Sequence, residues 1–289
     1  MTRGVYFIAS DLVIDMAIPF LNSFRETNPN IPLCLIPYND ETSKIETLKN
    51  RYDFSVFSNK QILEECDSIS MHMHHQSWQE YRKLAIWEGE FDEFIYVDID
   101  TLVLANMDFA FKHLSSYDFI FCSSRGPAMF DQVWKKSIRD TGKLTKEQLE
   151  FAANTGFIVS RKGALSLDNM KSKLNEASSL SGHMVTFCKE QPFINYMVIT
   201  SGKKYTSLLT LRQEGIDKNI LLDQWAGYKT KKLADGSLIR IDNGAGIFLL
   251  HWTGVWRPTN FDHVVFFFLR ALRIKPRHTY PQDTLLSGI

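Results

Sequence analysis

Residues 91–109 read FDEFIYVDIDTLVLANMDF, and the run Phe94–Val97 at their centre is apolar at every position. Such a run fits a strand buried on both faces of a parallel sheet, and that narrows what the chain can fold into. The strand then delivers Asp98, Ile99 and Asp100. Side chains alternate across a strand, so the two acids share one face and Ile99 takes the other. Open α/β sheets bind their ligands beyond the carboxyl ends of central strands, which is where these carboxylates fall. Two acids so close repel unless a hard divalent cation stands between them and a polyphosphate. A bare Asp-x-Asp is more often a turn cap beside a solvated acid, so the surrounding pattern has to decide.

The first half of the chain alternates short apolar runs with amphipathic stretches. Strands are expected at Val5–Ala9, Leu33–Pro37, Phe54–Phe57, Phe94–Val97 and Asp118–Cys122, with helices at 11–27, 41–50, 59–65 and 77–89. That alternation predicts an α/β fold with a single, mostly parallel central sheet flanked by helices. Pro19 kinks or restarts the first helix. Residues 124–150 are polar and read as an excursion with a helix near 145–152. A strand at Thr155–Ser160, a polar helix over 163–178 and a strand at Ile247–Leu250 follow. Glycines at 202, 215, 236, 244 and 246 cut the later part into short strands and turns. No linker marks a second large domain.

Four segments in order resemble the GT-A glycosyltransferases, most closely the family 8 enzymes that include glycogenin and bacterial galactosyltransferases. The first is Tyr96 to Asp100 with Thr101–Leu104 and then Asn106-Met107-Asp108. The second is His251-Trp252-Thr253-Gly254-Val255-Trp256-Arg257-Pro258, similar to the family's His-x-x-Gly-x-x-Lys-Pro with Arg for Lys. The third is Lys83, a basic residue on the helix before the Asp-x-Asp strand. The fourth comprises Asn154-Thr155-Gly156 and Glu190-Gln191-Pro192-Phe193-Ile194-Asn195, similar to an Asn-(Ser/Thr)-Gly strand opening and an Asp-Gln-x-x-x-Asn helix start.

The resemblance implies a GT-A nucleotide-sugar-binding domain over 1–258, moving a sugar from a nucleoside diphosphate sugar, UDP-linked, with retention of configuration. It implies Asp98, Asp100 and His251 as metal ligands. Imidazole among the ligands suits Mn²⁺ better than Mg²⁺, though Mg²⁺ remains open. It further implies donor contacts from Ala9, Ser10, Lys83, Ile99, Asn154, Gly254 and Arg257, and a catalytic role for Gln191 or Glu190. Glu190 stands where the family has Asp, and an extra methylene displaces a carboxylate by about 1 Å, enough to matter in catalysis. The choice between the two therefore stays open. A metal-dependent nucleotidyltransferase or nucleotide-sugar pyrophosphohydrolase is the rival reading. Such enzymes of this fold carry a Gly-rich basic loop after strand one, whereas here Ala9-Ser10-Asp11-Leu12 follows.

Composition closes off other classes. Lys plus Arg and Asp plus Glu both number 33, a balance unlike that of a nucleic-acid-binding protein. The four cysteines are scattered without a C-x-x-C pair and fit reduced, buried thiols. With no basic-then-apolar leader before Val5, the expectation is cytoplasmic. Met71-His72-Met73-His74-His75 lacks acidic or thiol partners at metal-binding spacing and is expected to be a polar loop. Residues 259–289 are expected to form a terminal helix and tail. Within them, 261–278 combine aromatics with Arg270, Arg273, Lys275 and Arg277, so this segment docks on the core or rests peripherally on an anionic membrane surface. The acceptor, whether saccharide, lipid or protein, is not encoded in any motif.

Overall fold

The structure, a computed structural model, describes residues 1–252. Gly254, Arg257, the domain boundary at 258 and the aromatic-basic segment 261–278 lie outside the described residues.

A seven-stranded sheet carries the fold, built from β1 (Arg3–Ala9), β2 (Leu33–Pro37), β3 (Phe54–Val56), β4 (Glu93–Val97), β6 (Phe119–Phe121), β7 (Phe157–Arg161) and β8 (Tyr205–Ser207), in the order β3-β2-β1-β4-β7-β6-β8. Each of its pairings is parallel except the two that β7 makes, with β4 and with β6. Apolar side chains alternate between two cores. Tyr6, Ile8, Phe94 and Tyr96 enter one, while Val5, Phe7, Ile95 and Val97 enter the other. A strand that feeds both cores has to be apolar throughout, which is what Phe94–Val97 shows.

The reversed strand has a functional consequence. Because β7 runs against β4, its first residue Phe157 pairs with Val97 at the carboxyl end of β4. The Asn154-Thr155-Gly156 segment is therefore delivered beside Asp98, and the Asp98 amide donates to the Gly156 carbonyl at 2.9 Å. A second sheet does the same for the C-terminal segment. It consists of β5 (Thr101–Val103), β12 (Ile247–His251) and β9 (Leu222–Trp225), in the order β5-β12-β9. The β12–β5 pairing is antiparallel and sets His251 opposite Thr101. The Trp252 amide donates to the Asp100 carbonyl at 3.0 Å, which ties the two segments just past their strands. A two-stranded hairpin, β10 (Thr230–Lys232) with β11 (Leu238–Arg240), lies between β9 and β12 in sequence.

Several expected boundaries move. The first helix begins as a 3-10 turn at Asp11–Val13 and continues as an α-helix over Ile14–Thr27 with Pro19 inside its second turn. The stretch 41–50 forms two four-residue helices, Ser43–Glu46 and Lys49–Tyr52. The segment expected at 59–65 runs on through Lys60–His74, capped by Asn59, whose side chain accepts from the Ile62 amide. The histidine tract is thus mainly the last helical turn rather than a loop. His74 stacks on Trp78 at 4.0 Å between ring centroids and shares a 2.8 Å hydrogen bond with the Tyr81 hydroxyl. Burial, with Lys189 and His75 nearby, lowers its pKa to about 4, so it sits neutral in a packed niche. Residues 77–89 form a 3-10 helix at Gln79–Trp87, and 163–178 breaks at Lys173 into Leu167–Ser172 and Leu174–Ser179.

Candidate metal and donor site

Three acceptor-bearing side chains converge at the carboxyl ends of β4 and β12. One ligand atom from each of Asp98, Asp100 and His251 can be chosen so that all lie within 4.8 Å of one another. His251 Nε2 is 3.2 Å from Asp100 Oδ1 and 3.8 Å from Asp98 Oδ2. The donor set suits a divalent ion, since two carboxylates give hard oxygens and the imidazole adds a borderline nitrogen. Gly156 keeps the space between them open. A Cβ built there would stand 2.3 Å from His251 Cε1 and 2.7 Å from Asp98 Oδ2. Glycine is required here by close approach, not by its backbone angles.

The other oxygen of Asp98 is held by the protein. Asp98 Oδ1 accepts from the Tyr96 hydroxyl at 2.6 Å and lies 3.2 Å from Lys83 Nζ. Tyr96 precedes Asp98 by two residues, so strand alternation places both on one face. The Thr101 hydroxyl donates to the Asp98 carbonyl at 2.8 Å and pins the turn between the two acids.

Lys83 joins this cluster to the start of the helix Gln191–Ile199. Its ammonium donates to Glu190 Oε1 at 2.5 Å, and the Thr155 hydroxyl donates to the same oxygen at 3.1 Å. The Lys83 ammonium also lies over the Tyr96 ring at 4.7 Å. Burial alone would lower the Lys83 pKa, but Asp98 and Glu190 outweigh it and raise it, so the residue is cationic. Burial opposes ionisation of Asp98 as well, yet Lys83 and then His251 pull its pKa below the usual carboxylate value. Burial dominates at Glu190 and raises its pKa despite Lys83. For His251, burial opposes the charged ring but Asp100 and Asp98 outweigh it and raise the pKa.

Gln191 does not point free. Its Oε1 accepts from the Thr155 amide at 3.1 Å and its Nε2 donates to the Gln132 carbonyl at 3.1 Å. Asn195, one turn later, brackets Ala153 by accepting from its amide at 2.8 Å and donating to its carbonyl at 2.9 Å. The Ala153–Gly156 segment and the helix start are thus laced together. Asn154 Oδ1 accepts from the Gly156 amide at 2.9 Å.

Among the other expected donor contacts, Ala9 ends β1 and its carbonyl accepts from the Tyr38 amide at 2.9 Å. Ser10 is buried just beyond it. Asp11 is committed elsewhere: its carboxylate accepts from the Lys44 and Ile45 amides at 3.0 and 2.9 Å and from the Ser43 hydroxyl, closing the start of the helix Ser43–Glu46. Ile99 packs against the second core on the side opposite the acids. Tyr96 and Gly156 carry roles at the cluster that the sequence reading did not give them. Two-residue alternation at the end of β4 would have found Tyr96.

No protein-family model matches the sequence, and no curated protein matches it at a significant level. Solved structures do match. The galactosyltransferase LgtC in complex with donor and acceptor sugar analogs superposes with a TM-score of 0.61 at 15% identity, over 97% of this chain and 98% of that one. The WbbM bifunctional glycosyltransferase gives 0.60 at 14% identity, over 94% of this chain and 50% of the other. Mouse xyloside xylosyltransferase 1 gives 0.56 at 10% identity, over 88% of this chain and 98% of that one. The chain shares the fold of these glycosyltransferases, the GT-A fold.

Proposed function

We propose that this chain is a metal-dependent glycosyltransferase that takes a sugar from a nucleoside diphosphate, with UDP as the nucleotide and retention at the transferred carbon. One observation carries the reading: Asp98, Asp100 and His251 meet within 4.8 Å although His251 comes from the far end of the described chain. A bound divalent ion, Mn²⁺ in preference to Mg²⁺, would act as a Lewis acid on the diphosphate leaving group.

The chain's own residues do the rest. Asp98 is oriented by Tyr96 and Lys83 so that Oδ2 is the oxygen turned toward His251. Lys83 stays protonated and holds Asp98 and Glu190 in fixed relation, a preorganised arrangement that needs no rearrangement when charge develops. Glu190 and Gln191 open a fully buried helix behind Thr155, and one of them serves the reacting carbon. Gln191 suits positioning, because both ends of its carboxamide already brace backbone. Ala9, Ser10, Ile99 and Asn154 lie on strand ends or turns where a nucleotide sugar would be held. Gly254 and Arg257 follow His251 in sequence, and Arg257 offers bidentate donors for phosphate oxygens.

The nucleotidyltransferase reading is less well supported, because the turn after β1 spends Asp11 on capping a helix and offers no basic side chain. Incubation with Mn²⁺ and a panel of sugar nucleotides decides between them. Free sugar or transferred sugar plus UDP is expected; sugar phosphate plus UMP would overturn the proposal.

A further inference from the structure

The strand that neighbours His251 carries an aromatic pair. In the parallel β12–β9 pairing, His251 stands opposite Trp225, Leu250 opposite Gln224 and Leu249 opposite Asp223. Side chains at paired positions of neighbouring strands point to the same face, so Trp225 and Asp223 share the face of His251. The Ala226 amide donates to the His251 carbonyl at 2.9 Å, which fixes the end of β9 to the metal-ligand strand. Tyr228 then folds back: its amide donates to the Trp225 carbonyl at 2.9 Å, and its ring stacks on the indole at 5.8 Å with 25° between planes. One part of Trp225 packs on the larger core, while Tyr228 is 57% exposed.

One further observation sets this pair apart from chance surface aromatics. Asp223 is 4% exposed and accepts from the Ser123 hydroxyl at 3.2 Å, so a polar group sits at the foot of the aromatic step.

We propose that Tyr228, its ring braced from behind by Trp225, forms the platform on which a pyranose ring of the acceptor rests, its apolar C–H face against the outward face of the Tyr228 ring and its hydroxyls toward the metal-bearing strand end. This rests on the glycosyltransferase reading and deepens it by naming a saccharide, rather than a bare lipid or peptide, as the acceptor class. Aromatic faces carry the negative side of a quadrupole and attract polarised C–H groups, and ligand sites combine such surfaces with a few polar groups. A lipid chain would instead need a continuous apolar groove, and Asp223 and Ser123 beside the step are poorly suited to it.

Saturation-transfer NMR with methyl pyranosides (galacto, gluco and manno), with UDP affinity measured in parallel by calorimetry, tests it. With the intact chain, saturation should reach the ring C–H protons of at least one pyranoside. Tyr228→Ala, at a residue 57% exposed, should weaken that signal at least ~5-fold, and Trp225→Ala, which removes the brace behind it, should abolish it while Trp225→Phe restores part. UDP affinity of Tyr228→Ala should stay within about twofold of the parent. Absence of pyranoside binding, or binding unchanged in Tyr228→Ala and Trp225→Ala, would overturn the platform. If UDP binds with Mn²⁺ in those same samples, the donor reading survives that failure. If UDP does not bind while the pyranosides do, the donor reading falls and the acceptor role falls with it, leaving a pyranoside-binding surface of another kind.

Discussion

The region around β4 and the region around β9–β11 solve opposite problems. Around β4, charged groups are buried or half-buried and each is held by more than one partner: Asp98 by Tyr96 and Lys83, Glu190 by Lys83 and Thr155. Around β9–β11, half-exposed aromatics lead into a polar hairpin whose residues Lys231 to Gly236 are exposed. The first arrangement tolerates no change, because an unpaired buried charge is expensive. The second tolerates much, because exposed loops lose little when altered. A protein whose donor chemistry is fixed and whose acceptor varies would divide its architecture in this way.

The sharpest way to break the contrast is Lys83→Met. It leaves Asp98 and Glu190 without their shared cation, and loss of a buried charge partner costs about 3–5 kcal/mol. Urea denaturation should register that loss, and a change below about 1 kcal/mol would mean the cluster is less buried than described.

Gly156→Ala comes next. The added methyl meets His251 Cε1 and Asp98 Oδ2 inside contact distance, so turnover should fall at least ~10²-fold as the ligands are pushed apart. Thermal melts should show a smaller loss, about 1–3 kcal/mol, as for ordinary overpacking. Equal activity would show that the cradle can widen freely.

Gln191→Ala removes the brace between the Thr155 amide and the Gln132 carbonyl. Steady-state kinetics should show kcat lowered by at least ~10²-fold, with UDP affinity nearly unchanged, as for a group acting mainly in the transition state. A matched loss of UDP affinity would place the residue in the diphosphate site instead.

The mildest effect is expected at Asp11→Ala, outside the charged cluster. Burial opposes ionisation of Asp11, but the Ile45 and Lys44 amides and the Ser43 hydroxyl together outweigh it and hold its pKa below the usual 3.8. A carboxylate with a depressed folded-state pKa contributes stability above its unfolded pKa, and that contribution disappears as pH falls through the folded value. The substitution should therefore cost at most about 1 kcal/mol at neutral pH, and the gap between variant and parent should close below the unfolded-state value in pH-dependent melts. A gap that persists at low pH would point to packing rather than capping.

These effects also mark what the sequence could disclose. The Asp98–Asp100 pair was legible from its place directly after an apolar run, although β4 ends at Val97 and the acids stand on the turn beyond it rather than alternating along the strand. The main parallel strands were legible because two-sided burial leaves unbroken apolar runs. The reversal of β7 was not, because strand direction depends on how residues 124–156 return to the sheet, and no local pattern records that. Three-residue strands such as β5, β8 and β10 are too short to show a period. The extension of the helix Lys60–His74 was missed because its last turn is rich in His and Met, and only the tertiary niche formed by Trp78 and Tyr81 shows why those side chains are accommodated. Lys83 was legible as a basic residue on a helix, but its partners were not, since Glu190 lies far away in sequence. The role of Gly156 became visible only when β12 brought His251 against it.

Isothermal calorimetry of UDP binding, with and without Mn²⁺, tests the central claim most directly when run on the parent chain and on Asp100→Asn. The account predicts tight binding by the parent with Mn²⁺, loss of that binding in chelator, and at least a ~10²-fold weaker affinity for the variant, as expected when a ligand of a charge-neutralising ion is removed. Equal UDP affinity in Mn²⁺ and in chelator, or an unaltered Mn²⁺-dependent affinity in Asp100→Asn, would contradict it.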